Sequence, residues 1–528
     1  MKSFLNKAKS AIHSHDDNND GSSFPAQQQQ QQPMQADHPT SLQPPTLADV
    51  TRYRYHHGTN IGSLFIQEKW LTGHMYPEGA GSSELAAAEG WVKKEGIDAA
   101  RARFEKHWHE YVSDSDLDWL RDVAKCTTIR LPIGYFTLGA PYCEGTPFKH
   151  VAGVYQNAWS AVKQLVQRCQ QRGIGVLIDM HGLPGGANAQ DHSGTNSGKA
   201  EFWSSHSNRS LGTRALAFVA QQVRGMEGVA GIQIINEAEG GAKGMYDWYD
   251  EVINELAKID PTMPVYISDA WNLSNAATWS QGKNRLNSHL NPVVVDTHLY
   301  WCFSDPDKKK SPQQIADEVQ HKLDVKDGSV IDHGAVQAVV GEYSCVLAES
   351  TWAAGGGAPK DQLVRLFGNA QSKRYQQRAG GSFFWTYRMN WMPGGEWGFK
   401  QMTEAHAVVP PQALTFTDVQ NRVQHAQSQQ QELKGNAFGA HTNYWDKSHP
   451  GQYEHWRFEQ GWDAGFGDAA TFFGMRGQSG FQGGDKIGML DLWVLKRIKE
   501  SGQGGKFVWE FEQGFRQGVK DFNHSVGL

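Results

Sequence analysis

The feature that most constrains the fold is an alternation of short β-rich runs with helical patterns, from about residue 55 to residue 390. Each run is apolar or rich in β-branched residues, which is typical of buried strands. Eight such runs separated by helices predict an α/β protein, a (β/α)8 TIM barrel. The predicted strands are Thr59–Ile66, Thr127–Gly134, Gly173–His181, Gly231–Asn236, Pro264–Trp271, Pro292–Tyr300, Val336–Glu342 and Gly381–Tyr387.

Helical patterns occupy most of the intervals between these runs. The first connection, Ser83–Val123, is long enough for several helices. A chain of 528 residues exceeds one ordinary core, but a barrel with additions accommodates most of it. The other predicted helices are Tyr155–Gln171, Leu211–Arg224, Tyr246–Lys258, Pro312–Leu323 and Lys360–Arg378.

Composition divides the chain into three regions. Residues 1–50 contain Gln27–Gln32 and scattered prolines, and such a segment cannot bury enough apolar surface to fold, so it is predicted to be a disordered tail. Residues 51–400 hold all eight strands and form the predicted barrel domain. Residues 401–528 remain after the barrel is complete, and we expect them to form a helical extension packed on it.

The extension contains a predicted linker and two predicted helical segments. The Gln-rich stretch 420–435 is typical of a linker, and the helical segments lie near Gln452–Phe473 and Asp491–Asp521. The motif Phe-Glu-Gln-Gly occurs in both segments, followed by a second glycine four residues after the first. Glycines at this spacing let two helices approach closely, which predicts a helical hairpin. The alternative is a sugar-binding surface built from Trp445, Trp456, Trp462 and Trp509.

Charge, cysteine content and hydropathy exclude several classes. The net charge of −6 gives no reason to expect nucleic acid or an anionic membrane as a partner. Five cysteines without a CxxC pattern predict neither a disulfide framework nor a zinc site. No apolar run predicts a transmembrane segment, and the first residues lack the apolar stretch of a secretion signal, so we expect a cytoplasmic location. The 19 tryptophans favour a carbohydrate site, because aromatic faces stack on sugar rings.

Two glutamates, Glu237 and Glu342, follow or end the fourth and seventh predicted strands. In a TIM barrel the chemistry lies at the C-terminal ends of the strands, where these carboxyls would face each other across the mouth. Paired carboxyls are the groups that glycosidic bond hydrolysis requires. Other polar or aromatic side chains end the runs in the same way: Glu68, Arg130, His181, Asn236, Asp269, His298, Tyr300 and Trp385.

Several motifs resemble glycoside hydrolase family 5 of the cellulase superfamily, and within it the fungal exo-β-1,3-glucanases (glucan 1,3-β-glucosidases). The resemblance covers about residues 55 to 390, and the motifs occur in the order and at the spacing of a barrel. The matching segments are Gly58–Trp70, Phe104–Trp108, Arg130–Tyr135, Asp179–Asn188 with Asp191–Gly194, Asn236-Glu237, His298–Tyr300, Gly341–Ser344 and Phe384–Tyr387.

The resemblance implies a retaining double displacement that needs no cofactor and no metal. Glu237 would be the general acid/base and Glu342 the nucleophile, with Arg130 keeping Glu342 charged. Asn236 would bind the sugar 2-hydroxyl. The remaining substrate-binding residues that it implies are His181, His298 and Tyr300, which would orient the carboxylates and the sugar, Glu68, which would bind sugar hydroxyls, and Trp385, which would form the floor of the −1 site.

The chain departs from the family pattern at two places in the motifs. Ala238 and Glu239 follow the acid/base where the family usually has proline, and Gly62-Ser-Leu-Phe65 replaces the bulkier Gly-Gly-Trp-Leu. We expect removal of β-linked glucose from a β-glucan or β-glucoside. Because no secretion signal is evident, an intracellular β-glucosidase acting on a glucolipid such as a sterylglucoside or glucosylceramide is the alternative. A catalytically inactive carbohydrate-binding barrel is the alternative from another class.

Overall fold

The computed structural model describes residues 42–325 and 328–528, and at its centre is a parallel sheet of eight strands. Seven strand pairs join in the order β1-β8-β7-β6-β5-β4-β3-β2, so β2 to β8 lie side by side in sequence order and β1 pairs with β8. The predicted TIM barrel is therefore confirmed. The strands are β1 (His56–Thr59), β2 (Thr128–Gly134), β3 (Gly175–Gly182), β4 (Val229–Gln233), β5 (Val265–Ser268), β6 (Val293–Leu299), β7 (Ala338–Tyr343) and β8 (Gly381–Phe384).

Backbone hydrogen bonds between β1 and β2 bring the two ends of the sheet together. The Thr127 N–H donates to the His57 carbonyl at 2.8 Å, and the Ile61 N–H donates to the Arg130 carbonyl at 2.9 Å. A parallel bridge between Asn60 and Arg130 continues the pairing toward the barrel mouth. The strand ends thus form a ring on which side chains from distant parts of the sequence meet.

One helix precedes β1, and the others lie between the strands and beyond β8. In chain order they are α1 (Leu47–Tyr53), α2 (Glu84–Glu95), α3 (Ile97–Glu110), α4 (Asp114–Asp122), α5 (Ala140–Cys143), α6 (Ala158–Gln170), α7 (Glu201–Ser204), α8 (His206–Val223), α9 (Met245–Ile259), α10 (Leu273–Lys283), α11 (Asp305–Lys308), α12 (Pro312–Val319), α13 (Val330–His333), α14 (Glu349–Ala353), α15 (Lys360–Arg378), α16 (Phe399–Glu404), α17 (Val419–Ser448), α18 (Trp456–Gln478), α19 (Leu490–Ser501) and α20 (Val508–Ser525). Short 3₁₀ segments are Gly73–Met75, Tyr135–Leu138, Pro147–Tyr155, Asp191–Ser193, Gly395–Trp397 and Gln412–Thr415.

The first strand lies earlier in the chain than its predicted range, Thr59–Ile66. β1 ends at Thr59, and the chain turns soon after, with Ser63 at a φ of 61°. The true strand contains two histidines that look polar in the sequence but are buried with partners: His56 Nδ1 lies 2.8 Å from Thr128 Oγ1, and His57 Nε2 lies 3.1 Å from the Ala124 carbonyl. Satisfied buried histidines therefore concealed the strand.

The structure also differs from the predictions before β1 and after β5. Residues 1–41 of the predicted disordered tail lie outside the described residues, but Leu47–Val50 begin helix α1. The Thr46 side chain accepts from the Asp49 N–H at 3.2 Å and the Asp49 carboxylate accepts from the Thr46 N–H at 2.9 Å, a capping box that starts the helix. Helix α10 was not predicted, because its sequence is rich in Ser, Asn and Thr.

The C-terminal extension is helical, as predicted, but its connections differ from the prediction. The Gln-rich stretch 420–435 is no linker: it lies inside α17, a helix of 30 residues. Glutamine is a good helix former, and the linker interpretation relied on composition alone. The second predicted segment, Asp491–Asp521, is two helices, α19 and α20, with a break after Ser501.

The two repeated glycine motifs bring α18 and α20 into close contact. A Cβ atom at Gly461 would lie 2.1 Å from the Phe511 carbonyl oxygen, and one at Gly465 would lie 2.1 Å from that of Phe515. The predicted close approach is confirmed, but the predicted hairpin is wrong: both residue numbers increase together along the contact, so the two helices run parallel. Helix α19 provides the return connection that a parallel pair requires.

The extension packs against the N-terminal ends of the barrel strands. One buried apolar cluster joins residues of α1, α18, α19 and α20 to side chains from five strands: Leu177, Tyr266, Val294, Val339 and Phe383. Next to it, the Arg54 guanidinium is 3.3 Å from the Asp485 carboxylate, and the Tyr55 N–H donates to the Lys486 carbonyl at 2.9 Å. The division of the chain at residues 50 and 400 stays a prediction.

Candidate active site

Glu237 and Glu342 meet at the C-terminal ends of the strands. Glu342 is the penultimate residue of β7, and Glu237 follows β4, with a φ of 40° that turns the chain there. A carboxylate oxygen of each glutamate and a ring nitrogen of His298 all lie within 4.8 Å of one another. Two carboxylates this close can act on the same atom of a substrate.

Two hydrogen-bond donors hold the Glu342 carboxylate. Arg130 Nη1 donates to Oε1 at 3.0 Å, and the Tyr300 hydroxyl donates to Oε2 at 2.8 Å. Arg130 is inaccessible to solvent and Glu342 nearly so. Burial alone would lower the pKa of Arg130, but the charges of surrounding carboxylates raise it, so the guanidinium stays charged. This arrangement stabilises Glu342 as an anion with a fixed orientation.

Arg130 connects Glu342 to the rest of the site through its other donors. Nη2 donates to Asn236 Oδ1 at 2.7 Å and lies 3.1 Å from Asp179 Oδ2. Nη2 also lies 3.7 Å from Asp296 Oδ2. Its remaining donors contact Gln233 Oε1 and Asn60 Oδ1, both at 2.9 Å. A fully buried cation is thus satisfied by acceptors from β3, β4, β6 and β7 and from the turns after β1 and β4.

Each carboxylate oxygen of Glu237 lies beside an imidazole: His298 within hydrogen-bond distance and His192 within ion-pair distance. His298 Nδ1 is 2.8 Å from Oε1, and His192 Nε2 is 3.2 Å from Oε2. Burial would raise the pKa of Glu237, but the hydrogen bonds and charges of the two histidines outweigh it and hold the pKa well below its ordinary value. Burial would likewise lower the pKa of His192, yet Glu237, with the charges of Glu68 and Glu342, raises it to about 9. The free protein therefore favours an ionised Glu237.

The other predicted substrate-binding residues lie around these carboxylates. Asn236 Nδ2 is 3.2 Å from His181 Nε2, and the His181 ring stacks on Trp385 with 6.0 Å between ring centroids. Glu68 accepts a hydrogen bond from Trp70 Nε1 at 2.8 Å, and its carboxylate interacts electrostatically with His181. Burial raises the pKa of Glu68. The structure therefore brings all nine predicted residues to one mouth.

Sequence reasoning missed three polar residues of the site. Asp179 and Asp296 are buried within strands, and each contacts the histidine two residues later: Asp179 Oδ2 is 2.7 Å from His181 Nδ1, and Asp296 Oδ2 is 3.1 Å from His298 Nε2. The repeated Asp-x-His spacing inside an apolar strand was a usable signal, because such residues share one face. The third residue, His192, lies in the segment Asp191–Gly194, which resembles the family, but no role was predicted for it.

One departure from the family pattern is Glu239, which follows the predicted acid/base and Ala238. Glu239 is exposed to solvent, and its backbone N–H donates to the Ala187 carbonyl at 3.1 Å.

Beside the site, exposed aromatic side chains form a rim: Trp70, Trp271, Phe303 and Trp391, with Trp397 half-buried between Trp70 and Phe303. The rim offers flat apolar surface next to the carboxylates.

Two clusters in the described part of the chain bring three metal-ligating atoms within 4.8 Å of one another. One is Glu237, His298 and Glu342, where the Arg130 guanidinium beside Glu342 disfavours a cation. The other is His441, His455 and Glu510 in the C-terminal extension. No helix in the described residues is both long and apolar enough to cross a membrane.

A barrel that presents two close carboxylates at its mouth defines an O-glycosyl hydrolase. Residues 92–374 match the cellulase (glycosyl hydrolase family 5) model, and residues 426–526 match the C-terminal domain of glucan 1,3-beta-glucosidase 3. The chain belongs to glycosyl hydrolase family 5.

Known proteins are similar over most of the chain. Glucan 1,3-beta-glucosidase 3 of Schizosaccharomyces pombe is 33% identical over 475 residues, which cover 88% of this chain and 94% of that protein. An uncharacterized glycosyl hydrolase of Saccharomyces cerevisiae is 31% identical, over 90% of this chain and 92% of its own. The crystal structure of rutinosidase from Aspergillus niger shares the fold, with a TM-score of 0.54 and 17% identity over 67% of this chain and 98% of that one.

Proposed function

We propose that this protein is a retaining β-glucosidase that removes glucose from the non-reducing end of β-1,3-glucan or a small β-glucoside. The observation that carries the proposal is the Glu237–Glu342 pair, whose nearest oxygens lie within 4.8 Å. Retaining enzymes hold their carboxyl groups about 5 to 5.5 Å apart, whereas inverting enzymes need about 6.5 Å or more to admit a water. The name of the Schizosaccharomyces pombe relative supports the glucan substrate.

In the proposed reaction Glu342 is the nucleophile. Arg130 and Tyr300 keep its carboxylate ionised and oriented, so that one oxygen can attack the anomeric carbon. As the glycosidic bond breaks, the Glu237 carboxyl gives a proton to the leaving oxygen. In the second step Glu237 takes a proton from water, which attacks the anomeric carbon and releases Glu342.

The neighbouring polar residues would bind the sugar. Asn236 is held in one orientation by Arg130 and His181, and in the proposed complex it would bind the sugar 2-hydroxyl. Such a contact strengthens as the transition state develops. Glu68 would accept from sugar hydroxyls and Trp385 would form the floor beneath the ring. A cytoplasmic location remains part of the proposal and can be tested by cell fractionation.

The stereochemistry of the first product tests the mechanism. Hydrolysis of an aryl β-glucoside, followed by proton NMR within the first minutes, should give β-glucose before mutarotation. Immediate α-glucose would refute retention. Laminarihexaose should release glucose and laminaripentaose as first products, and early formation of laminaribiose to laminaritetraose without glucose would refute the exo-acting mode.

The rim of exposed aromatic side chains favours a second candidate, a β-glucosidase acting on glucolipids. Trp70, Phe303 and Trp391 could contact an apolar aglycone as well as a sugar ring. Parallel assays on laminari-oligosaccharides, a sterylglucoside and glucosylceramide in detergent separate the candidates by kcat/KM. A protein inactive on every substrate, with Glu342→Gln behaving as the parent does, would instead support the inactive carbohydrate-binding barrel.

A further inference from the structure

The proposed function, on which this inference rests, requires Glu237 to carry a proton that its surroundings in the free protein disfavour. As general acid it must carry a proton when the substrate binds. In the free protein, however, imidazole nitrogens lie at both of its oxygens, His298 Nδ1 at 2.8 Å and His192 Nε2 at 3.2 Å, and these contacts favour the ionised form. The proton must therefore be stored on a neighbour and moved to Glu237 during the reaction.

We propose that Glu237 and His192 share one proton and titrate as a unit, with His192 holding the proton at rest and Glu237 delivering it. His192 acts through Glu237 and is therefore a positioning residue. His192 Nε2 and Glu237 Oε2 lie 3.2 Å apart, an ion-pair distance with no other atom needed to carry the proton between them. Groups coupled this closely lose their protons in steps that belong to the pair rather than to either residue.

His298 is unsuited to this role, because three carboxylates face it. Its Nδ1 contacts Glu237 and lies 3.6 Å from Glu342 Oε2, while its Nε2 lies 3.1 Å from Asp296 Oδ2. Only 4% of its side chain is exposed. Burial would lower the pKa of His298, but these charges raise it well above its ordinary value, so its proton stays in place throughout the cycle.

His192 faces fewer charges and reaches solvent. Glu237 is the one carboxylate that lies within ion-pair distance of its ring among the described residues, while Glu68 and Glu342 act from farther away. The ring of His181 lies 5.4 Å from it, edge to face. The His192 side chain is 21% exposed, so it can exchange its proton with water.

The proton balance closes over the two steps. At rest His192 is an imidazolium and Glu237 a carboxylate. The proton moves from Nε2 to the carboxylate, and Glu237 passes it to the leaving oxygen as the bond to the anomeric carbon breaks and Glu342 bonds to that carbon. In the second step Glu237 takes a proton from the attacking water as the bond to Glu342 breaks, and this proton returns to Nε2.

The shared proton sets the alkaline limb of the pH–rate profile. With His192 present, the pair keeps its last proton up to the pKa of His192, about 9. Without the imidazole, Glu237 alone must hold that proton, next to the His298 cation and against the charge of Glu342. A carboxyl in these surroundings loses its proton at lower pH, so we expect the limb to move down in His192→Asn.

The pH profile of kcat/KM on a β-glucoside with a poor leaving group, such as phenol, tests this direction. We expect the alkaline limb of His192→Asn to lie at least about one pH unit below that of the parent. With 2,4-dinitrophenol as leaving group the acid is not needed, and the limb should be the same in both proteins. His150→Asn, at an exposed site, is the matched control. An unmoved limb, or one at higher pH, would overturn the proposal.

A second measurement does not depend on activity. In 15N-histidine NMR spectra, the titration of His192, assigned by its loss in His192→Asn, should fall from about 9 toward the ordinary 6.5 when Glu237→Gln removes the carboxylate. An unchanged titration would overturn the shared proton even if the enzyme is a retaining glucosidase. A normal fall in a protein without glucosidase activity would leave the pair intact and refute only the proposed function.

Discussion

Two regions of the described chain each hold a carboxylate between two histidines, but their surroundings differ. At the barrel mouth, Glu237 lies within ion-pair distance of His192 and His298. In the C-terminal extension, Glu510 Oε2 is 3.0 Å from His441 Nε2 and 2.7 Å from His455 Nδ1. The comparison indicates which surroundings distinguish Glu237, the proposed acid/base, from Glu510, a carboxylate that is hydrogen-bonded on both oxygens.

The surroundings of Glu510 are closed. It lies in α20 with no exposed surface, and its second oxygen accepts from the Glu454 N–H at 2.8 Å. Burial would raise the pKa of Glu510, but the bonds from His441, the Glu454 N–H and His455 lower it. The two histidines and the backbone bond therefore tie α20 to the end of α17 and the start of α18.

Glu237 differs by what faces it across the mouth. Its partner carboxylate Glu342 lies close, the Arg130 guanidinium is buried behind that partner, and the Glu237 side chain is 16% exposed. In the proposed mechanism, the histidines at Glu237 thus stabilise a charge that has to change during the reaction. At Glu510 they stabilise a charge that only has to persist.

Without the Glu342 carboxylate, Glu237 should be as unreactive as Glu510. We expect Glu342→Gln to lower kcat/KM on the order of 10⁴-fold or more, the scale of losing a nucleophile, while its Tm stays close to that of the parent. Steady-state kinetics and thermal unfolding check both. Azide should restore turnover to Glu342→Ala with inversion, and more than a hundredth of the parental activity in Glu342→Gln would contradict the assigned role.

The same amide substitution at both carboxylates should give opposite results. Glu237→Gln should lose about 10² to 10⁴ in kcat/KM on substrates with poor leaving groups, with little change in stability. Glu510→Gln should keep the parental kcat/KM. Activity in Glu237→Gln that does not recover on 2,4-dinitrophenyl β-glucoside would argue that Glu237 is not the acid.

Glu510→Gln should instead destabilise the protein by about 3 kcal/mol, the cost of removing one member of a buried ion pair. The loss depends on pH. Because the pKa of Glu510 is lowered, its stabilisation is present above its ordinary 4.5 and is lost as pH falls through the folded value. Because the pKa of His455 is raised, its share is present below 6.5 and is lost as pH rises through its folded value.

The difference between parent and Glu510→Gln in urea unfolding should therefore be greatest between about pH 4.5 and 6.5. It should decrease on either side of that window. A constant difference from pH 3 to pH 9 would mean that Glu510 and His455 do not stabilise each other as an ion pair.

The smallest effects are expected at the glycines that join α18 and α20. Gly461→Ala should lower the free energy of unfolding by about 1 to 3 kcal/mol, because its Cβ would collide with the Phe511 carbonyl. Gly467→Ala, in the same helix with nothing within 4 Å, should raise it by about 0.5 to 1 kcal/mol. Neither should alter kcat/KM, and a loss of activity in either would connect the extension to the site.

Much of the fold and site could be predicted because the signals are local. Strands such as Pro292–Tyr300 are continuous apolar runs, and the residues that end them must meet once the barrel closes. The role of His192 could not be predicted, since it lies on a loop whose path depends on the folded chain. The position of the first strand was wrong because the burial of His56 and His57 depends on distant partners. The linker prediction within α17 was wrong because a high glutamine content alone does not show whether a segment is helical.

The cluster below the strands has a consequence for the chain as a whole. Leu177, Tyr266 and Phe383 point into the lower end of the barrel, and α1, α18 and α19 shield them from water. A protein truncated at residue 400 would leave this base uncovered, and we expect it to aggregate during expression. We therefore expect the barrel to need the last quarter of the polypeptide for its stability, although none of the residues named at the mouth belongs to that quarter.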